Sequence, residues 1–156
     1  MNGNMKESNS EDLKITQKTW EYWGEKDPLW GVISSESKKH NKWDVDSFLK
    51  TGRDEIQFIR KFVEENSLDF PNEKAMDFGC GPARLSIALS PFFQEIHGVD
   101  ISKPMLDKGK ELINYSGIEN IQLHLNTEDN LKLFSDGFFD FVYSSITLQH
   151  INKKDA

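Results

Sequence analysis

The chain has 156 residues, room for one domain, with 37% hydrophobic and 29% charged residues and a formal net charge of −7. Nucleic-acid binders normally present a basic face, whereas basic residues here are scattered among acids, so we expect no nucleic-acid partner. No stretch approaches the roughly 20 apolar residues of a membrane span, and the first dozen residues lack an apolar signal core. The single cysteine, Cys80, suits a reducing compartment, so we expect a cytoplasmic protein without a membrane partner.

The first part of the chain predicts a tail followed by a helical extension. Residues 1–10 are rich in Asn, Ser and Gly, with too little apolar surface to fold, which predicts a disordered tail. Residues 11–70 are helical in pattern, and Asp27-Pro28 should break the first helix, because the residue before a proline avoids helical geometry. The stretch DEIQFIRKFVEE predicts an amphipathic helix whose buried face carries Ile56, Ile59, Phe62 and Val63.

Aromatic side chains are concentrated in this extension. Trp20, Trp23 and Trp30 fall within eleven positions, and Trp43 follows. Aromatic residues dominate both hydrophobic cores and ligand pockets, so these side chains either line a substrate lid or form a small helical core on the sheet. The sequence leaves both interpretations open.

The second part, residues 71–156, alternates short apolar runs with helical patterns, as βαβ units do. We predict four strands and two intervening helices, the strands at residues 74–78, 95–100, 120–125 and 138–145 and the helices at 84–93 and 102–116. The predicted fold is α/β, a Rossmann-like doubly wound parallel sheet of order 3-2-1-4 with an N-terminal helical extension. The third strand alternates polar and apolar residues, as an edge strand can, whereas the fourth is apolar almost throughout, as a covered strand should be.

The stretch AMDFGCGPARLSIAL places a glycine-rich turn between the first strand and the next helix. A dinucleotide fingerprint, G-x-G-x-x-G, needs a third glycine so that helix and strand pack closely. Arg84 occupies that position, and no Gly-Lys-Ser/Thr follows that would make a phosphate-binding P-loop. The turn therefore disfavours a pyrophosphate ligand.

Two acidic residues flank this turn in the predicted fold. Asp77 lies two residues before Gly79, where a carboxylate would repel a pyrophosphate but suit an ammonium group. Asp100 ends the second strand, 21 residues after Gly79, where an acid can accept hydrogen bonds from both ribose hydroxyls. A helix N-terminus adds a site for a small anion such as a carboxylate. S-adenosylmethionine combines an adenosine, two cationic groups and a carboxylate.

The segments MDFGCGPARL and GVDISKPML also resemble the first two motifs of class I S-adenosylmethionine-dependent methyltransferases of the bacterial small-molecule type. Asp77, Gly79 and Gly81 match the acid-G-x-G-x-G pattern of that family, whose third glycine is Ala83 here. The resemblance covers about residues 74–151 and, through the N-terminal extension, most of the chain. It implies further cofactor contacts from Cys80, Asp100, Ile101, Met105, Asn126, Thr127 and Ser144.

The resemblance implies methyl transfer to an unidentified small molecule, with the protein mainly positioning the reactants. Asp77 would anchor the methionine amino group and the loop amides, and Asp100 would hold the ribose. His150, just after the fourth strand, is a candidate general base, although such a histidine more often has a packing role. No His, Cys and Asp cluster has the spacing of metal ligands, so we expect no metal.

The family fold usually has seven strands, so the resemblance implies that residues 71–156 are the N-terminal half of a methyltransferase domain, within a longer enzyme. The fourth strand, FFDFVY, would then be an uncovered apolar edge through which copies of the chain self-associate. Three function classes remain: an enzyme, a cofactor-binding module without catalysis, and a nicotinamide-dependent oxidoreductase. Asp77 and Arg84 oppose the third.

Overall fold

Three α-helices and one short 3-10 helix (Glu36–Lys38) precede the sheet in the computed structural model, which describes the backbone of residues 3–151 and the side chains of residues 11–151. The α-helices are α1 (Gly3–Lys26), α2 (Pro28–Val32) and α3 (Val45–Glu65). The tail predicted at residues 1–10 overlaps α1 from Gly3 on, and the side chains of that tail lie outside the described residues.

Asp27 separates α1 from α2, which confirms the predicted helix break. The residue is buried, and its carboxylate accepts hydrogen bonds from Trp30 N at 3.4 Å and from Asn41 N at 2.9 Å. Pro28 starts α2, a position where its missing N–H would have no helical partner anyway. The Asp27 carboxylate therefore caps α2 and ties it to the loop before α3.

Helix α3 begins at Val45, before the stretch DEIQFIRKFVEE from which the helix was predicted. Its buried positions are Phe48, Leu49, Gly52 and Ile56. Phe62 is 53% exposed, so its place on the predicted buried face is wrong. The buried face is set by the first half of the helix, which packs on the helix after the first strand.

The second part of the chain forms a parallel sheet. Its elements are β1 (Lys74–Phe78), α4 (Arg84–Leu89), β2 (Glu95–Asp100), α5 (Lys103–Ser116), β3 (Ile121–Leu125) and β4 (Phe141–Tyr143). All three strand pairings are parallel and the order is β3-β2-β1-β4, which confirms the predicted doubly wound 3-2-1-4 sheet. The third strand is an edge strand, as predicted.

Strand β4 is shorter than the predicted strand at residues 138–145. Phe138 and Phe139 precede it, and their rings pack on His97 with ring centroids 5.3 and 5.4 Å apart. Val142 in the strand is 55% exposed. The apolar residues before β4 therefore cover the sheet instead of extending it.

The two faces of the sheet are covered differently. Helices α3, α4 and α5 pack on one face, where Ala75 and Ile96 belong to one of two hydrophobic clusters. On the other face, His97 stacks on His124 with ring centroids 5.0 Å apart, and His97 Nδ1 lies 2.8 Å from His124 Nε2. Phe134 and its neighbours enclose this pair, so both histidines have a packing role.

Candidate functional site

A cavity of about 470 Å³ opens at the carboxyl ends of the strands, where open α/β sheets bind their ligands. Its walls are the turn after β1, the ends of β2 and β3, helix α1, and residues 145–151 after β4. The predicted site residues that line it are Gly79, Gly81, Asp100, Ile101, Met105, Asn126 and His150. The sheet thus brings seven of the eleven predicted residues to one place.

The glycine turn, residues 79–81, presents bare backbone to this cavity. Gly79 has a φ of +75° and Gly81 a φ of +51°, in the left-handed region that favours glycine. The amides of Gly79 and Cys80 donate to Val99 O at 2.8 and 3.0 Å, which fixes the turn to β2. Ala83, where the similar family has a third glycine, also adopts a left-handed φ, of +61°.

Asp100 closes the turn from the end of β2. Its Oδ2 accepts a hydrogen bond from Gly81 N and its Oδ1 accepts one from Ser102 N, both at 2.8 Å. Each carboxylate oxygen has a second lone pair, so the side chain can still accept hydroxyl donors from a ligand. Burial raises the pKa of Asp100, and the backbone hydrogen bonds from Ser102 and Gly81 oppose that rise.

The remaining predicted residues of the lining come from the segments after β2 and β3. Ile101 and Met105 are apolar neighbours of Asp100, and Met105 is almost completely buried. Asn126 N donates to Asp100 O at 2.9 Å, and its Nδ2 donates to a carbonyl of the following loop at 2.7 Å. The Asn126 side chain therefore shapes the loop that forms this wall.

Four predicted contacts fall outside the cavity lining, and two of them, Thr127 and Ser144, belong to the segments after β3 and β4. Thr127 is exposed. Ser144 Oγ donates to Phe78 O at 3.0 Å and so links the ends of β4 and β1, whereas the next residue, Ser145, lines the cavity. Successive side chains point to opposite sides of an extended segment, and the motif alone does not say which serine faces the ligand.

Asp77 and Cys80 are buried behind the turn. Asp77 is 1% exposed, and its Oδ2 accepts a hydrogen bond from Ser86 Oγ at 2.7 Å. Burial, followed by the charges of Asp100 and Asp77, raises the pKa of the Cys80 thiol well above its usual value. In contrast to the prediction that Asp77 anchors the ligand's amino group, its carboxylate fastens α4 to β1.

The buried Asp77 carboxyl makes folding stability depend on pH. Burial raises its pKa from 3.8 to about 6, against the hydrogen bond from Ser86 and the charge of Arg84. A raised folded-state pKa stabilises the fold below the unfolded value, and this stabilisation is lost as the pH rises to about 6. We expect wild type to lose roughly 3 kcal/mol of unfolding free energy relative to Asp77→Asn between about pH 3 and 7, measured by urea denaturation at each pH.

Asp107→Asn is the matched control for this prediction. Hydrogen bonds from Lys103 and Lys110 lower the pKa of Asp107 on the surface of α5. The contribution of Asp107 to stability is therefore lost as the pH falls, whereas that of Asp77 is lost as the pH rises. We expect a smaller effect from Asp107 because its ion pairs with the two lysines are solvated. Superimposable pH profiles for wild type and Asp77→Asn would contradict the prediction.

Beside the cavity lies a polar network that no sequence motif indicates. Arg84 Nη2 lies 2.8 Å from Glu55 Oε2, and Tyr143 OH donates to Glu55 Oε1 at 2.9 Å. Burial raises the pKa of Glu55, but hydrogen bonds from Ser145, Arg84 and Tyr143 outweigh it, so the net shift is downward. Burial and the bond to Glu55 raise the pKa of Tyr143 to about 12. The network joins α3, α4 and β4, which are far apart in sequence.

Helix α1 forms another wall of the cavity. Asp12, Leu13, Thr16 and Trp20 line it from one helical face. Trp20 packs edge-to-face against His150, with ring centroids 5.1 Å apart. The segment that carries the candidate base therefore contacts the extension directly.

The tryptophans divide between the two interpretations that the sequence left open. Trp20 lines the cavity. Trp23 and Trp30 pack on each other at 5.1 Å, and Trp43 packs against Phe48 at 5.7 Å. The extension is thus both a small aromatic core and a wall of the site.

The chemistry of the lining fits a cationic nucleoside that carries a carboxylate. Asp100 provides acceptors for ribose hydroxyls, and Glu128 and Asp129 add negative charge. Arg84 lines the cavity, and its Nε is buried without a hydrogen-bond partner within the described residues. These groups complement the sulfonium, the amino group and the carboxylate of S-adenosylmethionine.

Residues 3–151 contain neither a candidate metal centre nor a candidate membrane-spanning helix. No group of three or more His, Cys, Asp or Glu side chains in this part of the chain is placed to hold a metal ion. In the same residues, no helix combines the length and the apolar character needed to cross a membrane.

Residues 75–156 match a family model described as "Methyltransferase domain". The chain is 29% identical over 115 residues to a ubiquinone biosynthesis O-methyltransferase of Methylococcus capsulatus, covering 74% of this chain and 48% of that protein. It is 34% identical over 84 residues to a demethylmenaquinone methyltransferase of Bacillus cytotoxicus, covering 52% of this chain and 35% of that protein. The chain spans less than half the length of the curated relatives it matches.

Solved structures share the fold of the chain. Phosphoethanolamine N-methyltransferase 1 of Haemonchus contortus, in complex with phosphoethanolamine and S-adenosylhomocysteine, superposes with a TM-score of 0.68 at 14% identity, covering 27% of that chain. Magnesium protoporphyrin IX methyltransferase of Synechocystis, with bound S-adenosylmethionine, superposes with a TM-score of 0.62 at 20% identity, covering 66% of that chain. Each covers 92% of this chain, so the shared fold includes N-terminal helices.

Proposed function

Because this chain belongs to the class I S-adenosylmethionine-dependent methyltransferases, we propose that it binds that cofactor in the 470 Å³ cavity and serves methyl transfer to a small molecule. One observation carries the proposal: the glycine turn and the Asp100 carboxylate meet at this cavity, joined by the 2.8 Å hydrogen bond from Gly81 N. Methyl transfer is proposed for the whole protein, and cofactor binding is proposed for this chain.

In this proposal the residues of the chain bind and orient the reactants. Asp100 accepts hydrogen bonds from the ribose hydroxyls, and Ile101 and Met105 pack against the adenine. The bare backbone of the glycine turn lets the methionine part approach, and Arg84 Nε donates to its carboxylate. Holding two reactants in line in this way is a large share of what such an enzyme contributes.

When bound, S-adenosylmethionine supplies a methyl group on a sulfonium, so the acceptor's lone pair forms the new bond while the C–S electron pair stays on sulfur. An acceptor hydroxyl or amine also has to lose a proton. His150 lines the cavity and is the candidate base among the described residues, with solvent as the alternative. Its edge contact with Trp20 orients the imidazole.

Calorimetric titration of the 156-residue chain tests the proposal. We expect S-adenosylhomocysteine to bind and NAD not to bind, because Arg84 stands where a dinucleotide turn needs glycine. Binding of NAD alone would favour an oxidoreductase, and binding of neither would contradict the assignment of the cavity. Turnover with a panel of acceptors separates an enzyme from a cofactor-binding module.

We also propose a cytoplasmic location, no nucleic-acid or membrane partner, and self-association through β4. The single thiol, on Cys80, is buried, which suits a reducing compartment. Within the described residues β4 pairs with β1 alone, so its outer edge is open to a strand from a second copy. Sedimentation at increasing protein concentration checks this association; a monomer at every concentration would contradict it.

A further inference from the structure

Part of the cavity wall is formed by residues that are not assigned to the cofactor, and its chemistry indicates the kind of methyl acceptor. This inference rests on the proposed function. This wall includes Leu13, Thr16 and Trp20 of α1 and Ile146, Leu148 and Ile151 after β4. We propose that the acceptor is a flat, ring-bearing, apolar molecule without an anionic group, bound between these two segments.

The apolar side chains of this wall are open to a ligand. Ile146 and Leu148 line the cavity and are 55% and 54% exposed. Ile146 also has a φ of +67°, an outlier for a β-branched residue and of a kind that is concentrated at binding sites. With the indole of Trp20 they form an apolar surface of the type that binds ring systems.

The charge of the lining disfavours an anionic acceptor. Its basic side chains, within the described residues, are Arg84 and His150. Arg84 is already paired with Glu55 at 2.8 Å, and its free Nε is assigned to the cofactor. The same lining contains the carboxylates of Asp12, Asp100, Glu128 and Asp129. An anionic group would therefore lose hydration in an apolar cavity and meet like charge.

Helix α1 is seated closely enough to act as a preformed wall. A Cβ placed on Gly24 would lie 2.8 Å from Pro104 Cβ and 2.9 Å from Met105 N, so the helix backbone rests on the start of α5. One turn earlier, Trp20 meets His150. The two segments therefore form one continuous surface, and the candidate base lies beside the proposed ring subsite.

A matched pair of probes tests the acceptor class. 2-Naphthol and 6-hydroxy-2-naphthoate share a ring system and a hydroxyl and differ by one carboxylate. With S-adenosylhomocysteine present, we expect 2-naphthol to bind the 156-residue chain at least about tenfold more tightly, measured by calorimetry. Equal affinities, or a preference for the carboxylate, would overturn the inference.

Three variants locate the subsite. Trp20→Ala should weaken 2-naphthol binding by about three- to tenfold, and Trp20→Phe should restore most of it. Tyr22→Ala is the matched control, because Tyr22 is an aromatic residue of the same helix, is 54% exposed and lies outside the lining. We expect no change from the control, and equal losses from Trp20→Ala and Tyr22→Ala would overturn the placement.

The titration with S-adenosylhomocysteine alone distinguishes a failure of the proposed function from a failure of the acceptor inference. If it does not bind, the proposed function fails and the acceptor inference fails with it. If it binds but 2-naphthol shows no preference over the carboxylate probe, the acceptor class alone is wrong. If Trp20→Ala does not fold, the two probes on wild type and on Trp20→Phe still decide.

Discussion

Replacing Gly79 with alanine is expected to lower the unfolding temperature by roughly 10 °C and to abolish S-adenosylhomocysteine binding. Gly79 has a φ of +75°, where a side chain costs about 1–2 kcal/mol. A Cβ there would also fall 2.2 Å from Thr147 Oγ1 and 2.3 Å from its Cγ2, so the turn or the segment after β4 has to move. Thermal denaturation and calorimetric titration measure the two effects.

Gly117→Ala is a control that separates the backbone strain at a positive φ from the steric clash with Thr147. Gly117 has a similar φ, +64°, but a Cβ there meets nothing within 4 Å. We therefore expect a loss of about 3 °C from this control and unchanged ligand binding. The double variant Gly79→Ala/Thr147→Gly removes the colliding atoms and should be less destabilised than the sum of the single variants. Equal effects of Gly79→Ala and Gly117→Ala would contradict the close contact between the turn and Thr147.

Asp100→Asn is the second change with a large expected effect, a loss of S-adenosylhomocysteine affinity of about 10- to 100-fold. The carboxylate accepts backbone hydrogen bonds on both oxygens, from Gly81 N and Ser102 N. An amide has one acceptor oxygen, so its NH₂ group would face one of those N–H donors. The variant thus loses acceptors for the ribose and disturbs the turn as well. Calorimetric titration at neutral pH measures the loss.

Asp129→Asn is the control for charge alone. Asp129 is exposed and lines the same cavity, and neither a turn amide nor a ribose depends on it in the proposed arrangement. Its substitution removes the same charge and is expected to change affinity by less than about threefold. Similar losses for Asp100→Asn and Asp129→Asn would show that the cavity's overall charge, not the Asp100 geometry, holds the ligand.

The parallel sheet was predictable because its signals are local. Each strand is a short apolar run with a turn beside it, and the order 3-2-1-4 is that of a doubly wound sheet built outward from its first strand. The start of β4 was not predictable in this way. Phe138 and Phe139 have strand-like residue types, and they leave the sheet because His97, some forty residues earlier, provides a surface for their rings.

The candidate site was predictable at the level of the motif but not of the side chain. Gly79, Gly81 and Asp100 follow directly from the spacing of the glycines and the end of β2, and they line the cavity. The motif does not say where a side chain points: Asp77 turns to Ser86 inside the fold. Nor does it show the pairing of Glu55 with Arg84, because the partners lie 29 residues apart and meet through helix packing.

The position of β1 in the sheet has a consequence for synthesis of the chain. Lys74 pairs with Glu95 of β2, a neighbour that leaves the ribosome soon afterwards. The other edge of β1 is paired by β4, through Ala75 and Phe141, and the Lys74 amide donates to Asp140 Oδ2 across 66 residues. At ribosomal rates that separation is on the order of several seconds. During this time the central strand of the nascent sheet has an open edge, and the arrival of β4 ends its exposure to mispairing.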